Sequence, residues 1–200
     1  MRALVAISLL VAVFFCAGCG SDEPERADTA TALKTGTTTA PGTSTAGGAG
    51  GAERTARAQA SQGPEQAARA FIEAIDGREP EAVCSLLEPG SLDGLELPER
   101  ADTCTDTIAG SLGGSQGEGM PRWRRTTIAV TQGVETDGDR SRVTLSVNHR
   151  FADRETVSVE DDVVYLRREG DGWLVRQPSA TLYRAVGYPE PPLDAVRPPE

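Results

Sequence analysis

Four cysteines, one histidine, a run of three carboxylates and a glycine-rich loop are the residues of this 200-residue chain from which chemistry could be built. His149 is the sole histidine, so Ser-His-Asp, Cys-His and multi-histidine metal arrangements have at most one member of that type available. It continues the alternation of Val143, Leu145 and Val147. It therefore reads as a hydrogen-bonded histidine at a strand end, with a place lining an interior pocket as the alternative. Glu160-Asp161-Asp162 offers oxygen ligands but lacks the spaced pattern and central glycine of a calcium loop, and is expected as an exposed turn between strands. Gly113-Gly114-Ser115-Gln116-Gly117-Glu118-Gly119 contains no phosphate-binding lysine and precedes a strand, so it reads as a flexible joint rather than a nucleotide loop. Tyr165, Trp173, Tyr183 and Tyr188 are expected in core packing. These patterns assign no catalytic residue, no metal site and no cofactor.

The elements that must position these residues divide the chain in three: 1–18, 19–63 and 64–200. The first begins Met1-Arg2 and continues over residues 3–15 without a charge or a proline, which is a signal-peptide pattern. It closes on Cys16-Ala17-Gly18-Cys19-Gly20-Ser21. That phrase resembles the lipobox of bacterial lipoproteins, although Cys16 stands where the family usually has leucine. The resemblance implies a diacylglyceryl group on the Cys19 thiol, cleavage between Gly18 and Cys19, and acylation of the new amine. Two or three acyl chains would anchor the protein stably to the outer face of a cell membrane, each buried methylene contributing about 0.8 kcal/mol. An uncleaved membrane helix is the alternative, since the uncharged run of residues 3–20 just reaches the lower length limit for a span. In either case the remainder faces outward. With Cys16 removed in the leader and Cys19 lipidated, Cys84 and Cys104 remain as one pair in an oxidising compartment, and a disulfide between them is expected.

Residues 20–63 are mostly Thr, Ala, Gly and Ser with little that is bulky, and are expected to form a disordered tether. As a flexible coil such a tether would span about 35 to 40 Å. Its threonines suit O-glycosylation, although a plain solvated spacer is the simpler reading. The whole chain carries a net charge of −10, nearly all of it on residues 64–200, which excludes the basic balance of a nucleic-acid binder.

The last segment starts with a clear helix: Pro64 suits a first turn, and Ala68, Phe71, Ile72 and Ile75 fall at i, i+3, i+4 and i+7 before Gly77. Shorter helices are expected over 80–87, with Val83, Cys84 and Leu87 inward, and over 98–109, with Ala101, Cys104 and Ile108 on one side. After residues 110–119 the period changes to alternation. Ile128 and Val130 lead through Asp137-Gly138-Asp139 to Val143, Leu145 and Val147, a first hairpin; residues 157–166 turn at Gly170-Asp171-Gly172 into Trp173-Leu174-Val175, a second. Helices first and a meander afterwards indicate an α+β domain with its helices on one sheet face.

Residues 64–185, in particular Ala67-Ala68-Arg69-Ala70-Phe71-Ile72-Glu73-Ala74-Ile75-Asp76, Ala82-Val83-Cys84-Ser85-Leu86-Leu87 and Gly172-Trp173-Leu174-Val175, resemble the cone-shaped domains of bacterial lipoproteins in the nuclear-transport-factor-2-like superfamily. The resemblance implies a long helix and two shorter ones closing a curved antiparallel sheet into a cone, often around a pocket. Fold alone does not name a function. The expectation is a non-catalytic surface lipoprotein that binds a small apolar ligand or an envelope protein. An isomerase or dehydratase using a carboxylate beside a tyrosine in the cone is the alternative.

Overall fold

A computed structural model of the chain describes residues 49–93, 97, 101–114, 121–188, 190–193 and 197–199. The expected leader, Cys19 and the linker up to residue 48 lie outside these residues. Among the described residues the order is α1 (Ala49–Ala60), α2 (Pro64–Gly77), α3 (Pro80–Leu86), α4 (Cys104–Ser111), β1 (Trp123–Asp137), β2 (Arg140–Phe151), β3 (Ser158–Glu169), β4 (Gly172–Val175) and α5 (Ala180–Ala185). The class is α+β, as the pattern of periods predicts.

The first difference from the sequence reading lies at residues 49–60, assigned to the tether but forming α1. Alanines spaced four apart explain it. Ala56 and Ala60 are buried against α2 and α3, and alanine loses no side-chain entropy in a helix, so a segment poor in bulk still docks through one small-residue stripe. The packed helices therefore include residues 49–60, upstream of Pro64.

Helix α2 is the core helix, burying Ala67, Ala68, Ala70, Phe71, Ile72, Ala74 and Ile75. It ends not on a left-handed glycine but on Arg78 at φ 55°, whose backbone N–H returns to the carbonyls of Ala74 and Ile75. The guanidinium of Arg78 then lies 5.5 Å from the centroid of the Trp123 ring, a cation–π contact that helps hold the strained residue. Helix α4 starts at Cys104, later than the expected 98, because Thr103 caps it. The Thr103 hydroxyl accepts from the Asp106 N–H at 3.1 Å and donates to the Asp106 carboxylate at 2.7 Å.

The sheet is an antiparallel meander in the order β1-β2-β3-β4. Both tight turns use Gly-Asp, with Gly138 at φ 59° and Gly170 at φ 57°, the left-handed region that glycine enters without strain. Strand β2 alternates cleanly, with Val143, Leu145, Val147 and His149 buried against the helices. Strand β1 does not alternate. Its register slips between Trp123 and Arg125, between Ile128 and Val130, and between Thr131 and Gly133, so inward residues come three apart at each bulge. Val130, expected inward with Ile128, is thereby turned to the outer face and is 54% exposed. The far edge strand, β4, is met by the end of α3: Leu87 bridges Val175, and the Glu88 N–H donates to the Val175 carbonyl at 2.8 Å.

Cys84 and Cys104 form a disulfide that ties α3 to α4, with their Cα atoms 6.0 Å apart and a sequence separation of 20. Closing a loop of that length removes unfolded-state entropy worth about 3 kcal/mol. Replacing both residues by serine is expected to lower the unfolding free energy by about that amount in a urea titration. An unchanged midpoint would show that the crosslink restrains nothing in the unfolded chain.

Candidate functional site

The densest polar cluster in the interior is built on His149. Burial of an imidazole demands partners, and the bulge near Arg124 supplies them by bringing Trp123 and Thr126 to the same face of β1. The Trp123 indole N–H donates to the Thr126 hydroxyl oxygen at 2.8 Å, and that oxygen lies 2.8 Å from His149 Nδ1. The hydroxyl oxygen keeps a second lone pair beside the indole N–H, so it meets Nδ1 either by donating its own proton or by accepting an Nδ1–H. Nε2 is itself buried without a hydrogen-bond partner and faces Glu160, whose Oε2 is 3.9 Å away.

Glu160 is held from two other sides. The Ser158 hydroxyl donates to it at 2.9 Å, and the Arg184 guanidinium of α5 engages both carboxylate oxygens at 3.0 to 3.3 Å. Two residues along β3, Asp162, 1% exposed, accepts the backbone N–H groups of Ala180 at 3.0 Å and Thr181 at 2.9 Å, capping the start of α5. The run Glu160-Asp161-Asp162 is therefore not an exposed turn, as expected from its charge, but part of β3. Two of its carboxylates point inward because α5 brings an arginine and two unpaired N–H groups to meet them. The third, Asp161, faces outward and accepts from Gln132 Nε2 at 2.6 Å. On the other side of the cluster, Asp76 of α2 accepts the Thr126 N–H at 2.7 Å and pairs with Arg125 at 3.1 Å.

Burial lowers the His149 pKa from its ordinary value of 6.5, and Arg184 pushes the same way, while the charges of Glu160 and Asp162 oppose the shift. For Glu160 burial works to raise the pKa, but the hydrogen bond from Ser158 and the charge and hydrogen bonds of Arg184, with His149 adding, outweigh it and hold the carboxyl below its ordinary 4.5. The cluster thus rests as a neutral imidazole beside an ionised, arginine-bound carboxylate. His149, Val143, Leu145, Val147, Phe71, Ile72 and Ile75 are each 0% exposed, so no space that admits water borders them. A general acid or base needs a substrate proton within hydrogen-bond reach, and none can approach Nε2 in this packing. The chemistry of the cluster is structural: it fixes α5 on β3 and β1 on β2.

Of the other residues singled out in the sequence, Tyr165, Trp173 and Tyr183 are buried, and Tyr183 packs edge-on against Tyr188 with ring centres 5.5 Å apart. Gly113 adopts φ 81° where the chain leaves α4, while residues 115–120 of the glycine-rich loop lie outside the described residues, as does Cys19. Among the described residues no three His, Cys, Asp or Glu side chains gather to hold a metal ion, and no helix is long and apolar enough to cross a membrane. The residue pattern does not single out Trp123, Thr126 or Arg184. The one signal for Trp123 is a tryptophan opening an alternating segment, which Trp173 also does.

Cavities open elsewhere. One of about 300 Å³ lies between α3 and α4, with the disulfide in its wall beside Leu87, Leu92, Leu97 and Thr107. A second, of about 470 Å³, is bordered by Arg57 and Ala60 of α1, Ser85, Asp171 and Leu174. A third, of about 300 Å³, sits at the end of the sheet, where Tyr165 and Leu166 meet Pro198 and Pro199.

Because the folded chain binds the imidazole proton less readily than the unfolded chain, stability is expected to fall as pH drops below about 6.5, until the folded imidazole also titrates. Glu160 acts in the same direction below about 4.5, its contribution being present above that pH and lost as the folded carboxyl protonates. Urea midpoints measured from pH 7 to pH 5 should therefore decline, and His149→Leu should flatten that decline although the variant is less stable throughout. An undiminished slope in the variant would place the titration elsewhere. Asp162→Asn is expected to destabilise by about 1 to 3 kcal/mol through loss of a charged acceptor from two buried N–H groups, read in the same titration.

No protein-family model matches the sequence, and no curated protein matches it. Among solved structures, the chain is similar to a SEC-C motif containing protein from Rhodopseudomonas palustris, with 12% identity and a TM-score of 0.43 over 66% of this chain and 86% of that one.

Proposed function

We propose that this chain is an exported lipoprotein, held on the outer face of the cell membrane by an acylated Cys19, whose α+β domain is a non-catalytic binding or accessory module. The observation that carries the reading is the Cys84–Cys104 disulfide, since such crosslinks persist outside the cytosol and are reduced within it. The lipobox-like Cys16-Ala17-Gly18-Cys19 phrase supplies the anchor, and the net charge of −10 favours a soluble, self-repelling surface over a nucleic-acid partner. The helix-first order, with α2 laid across an antiparallel meander, supports a nuclear-transport-factor-2-like domain. A non-catalytic role is supported by the closed packing around His149. An isomerase-like site would need a carboxylate beside a tyrosine in one cavity, but Tyr165 pairs with Arg142 on the sheet face opposite His149. A small apolar ligand or a protein of the envelope is the partner class this reading implies.

In cells fed radiolabelled palmitate, the wild-type chain is expected to carry label and sediment with membranes, and Cys19→Ser to lose both while remaining exported. Unlabelled wild-type protein in the cytosol, with Cys84 and Cys104 alkylated as free thiols, would overturn the proposal.

A further inference from the structure

We infer that the arginine-rich end of the sheet, where β1 begins and β2 finishes, is a docking surface for the anionic phospholipid headgroups of the membrane that carries the anchor. The inference rests on the anchoring proposed above and adds to it which end of the domain lies against that membrane.

Strand register gathers the charge. Trp123 pairs across the strands with Phe151, and the next rung sets Arg125 directly opposite Arg150. Arg122 and Arg124 flank Trp123 in sequence, and both are exposed, as is Arg150. Stacking brings two more guanidiniums to the same rung: that of Arg78 lies 5.5 Å from the Trp123 ring centre, and that of Arg154 lies 5.6 Å from the Phe151 ring centre. A stacked guanidinium uses one face and keeps N–H donors free at its edge. Six arginines thus meet at the open end of one hairpin.

Most of these charges go unpaired. Elsewhere Arg142 pairs with Glu135 at 3.3 Å, Arg167 with Glu88 at 3.3 Å and Arg184 with Glu160 at 3.0 Å. At this end Arg125 pairs with Asp76 at 3.1 Å, but among the described residues no carboxylate lies within ion-pair distance of Arg78, Arg122, Arg124, Arg150 or Arg154. Asp76 also accepts the Thr126 N–H at 2.7 Å, and Asp153 accepts the Arg122 backbone N–H at 3.3 Å. Glu79 and Glu155, next in sequence to Arg78 and Arg154, form no ion pair with a described residue. Like charges set opposite one another across two strands cost stability, so folding gives no reason for Arg125 to face Arg150, whereas an anion arriving from outside does.

The chain's net charge of −10 does not oppose this contact. Strand β1 alone, 15 residues long, spans about 50 Å, while charge is screened over about 8 Å at physiological salt. A surface touching this end feels the arginines and not the acidic remainder. Headgroups fit it better than an acidic protein does. Trp123 and Phe151 are only 2% and 7% exposed, so the rung offers no exposed aromatic anchor of the kind a specific protein interface is built around. Guanidiniums alone suit a plane of phosphates, each of which accepts a bidentate pair of N–H groups. An acyl anchor holds the domain within reach of that plane, and a basic patch is the second signal that strengthens and orients such an attachment.

The test uses the full acylated chain reconstituted in vesicles of phosphatidylcholine alone or mixed with phosphatidylglycerol, each doped with a dansyl-headgroup lipid that accepts energy from tryptophan. Trp123 sits at the arginine-rich end, and Trp173 beside the β3–β4 turn at the opposite end. Energy transfer is expected to be greater in the mixed vesicles, and the gain to be lost at raised salt. The triple variant Arg122→Ser/Arg124→Ser/Arg150→Ser, whose altered side chains make no hydrogen bond or ion pair with a described residue, should abolish the gain. Arg54→Ser/Arg140→Ser/Arg168→Ser, which removes equal charge elsewhere, should keep it. Equal transfer in the two compositions, a gain that survives the first triple variant, or one lost equally in the second would each overturn the assignment. So would saturable binding of a fluorescein-labelled polyglutamate peptide without any such gain, which would put an acidic protein on this surface. Anchoring is read separately: a chain that fails to float with phosphatidylcholine vesicles denies the acyl anchor, while one that floats with both kinds and shows no gain denies only the docking surface.

Discussion

Strand β2 has hydrogen-bonded neighbours on both edges, and one entire face of it is pressed against the helices. A slip of one residue would carry Val143, Leu145, Val147 and His149 together to the outer face and put Thr144, Ser146 and Asn148 in their place. The register of β2 therefore fixes what its neighbours can do. Because His149 shares that face with three valine and leucine side chains, β1 and β3 must each bring a polar group inward at the same level. Strand β1 does so with Thr126, placed by a bulge, and β3 with Ser158, whose hydroxyl donates to the neighbouring Glu160, itself bound by Arg184 of α5. A single histidine in an apolar row thus accounts for an irregular strand on one side and an anchored helix on the other.

The parts of this fold that the residue pattern made legible are those stabilised locally. Helix α2 was visible because its apolar spacing and first-turn proline act within four residues, and both hairpins because Gly-Asp turns demand a left-handed glycine. What escaped was set by distant residues. The bulges in β1 arise where the strand must match β2, and nothing in the sequence 123–137 marks an extra residue. The acidic run in β3 looked like a solvated turn because its partners, Arg184 and the N–H groups of Ala180 and Thr181, lie about 20 positions later. Helix α1 was missed because its docking face is made of alanines, which a compositional reading counts with the surrounding Gly and Thr.

The candidate site was legible in a similar way. The sequence gives His149 an inward position and pairs Cys84 with Cys104, and the structure places both so. It does not reveal that the imidazole is sealed. That is a matter of packing volume around the ring rather than of pattern. The space available to another molecule lies instead at the periphery, beside the disulfide, at the end of α1 and under the tail.

The irregular register of β1 has one more effect. A 15-residue edge strand with a row of free backbone donors and acceptors would ordinarily be a template for polymerisation. Here three register breaks interrupt the even spacing of those groups, so an incoming strand meets no long matching stretch, and the opposite edge is shortened and blocked by Leu87. Broken spacing of this kind is how an exposed edge is made a poorer template for a second strand.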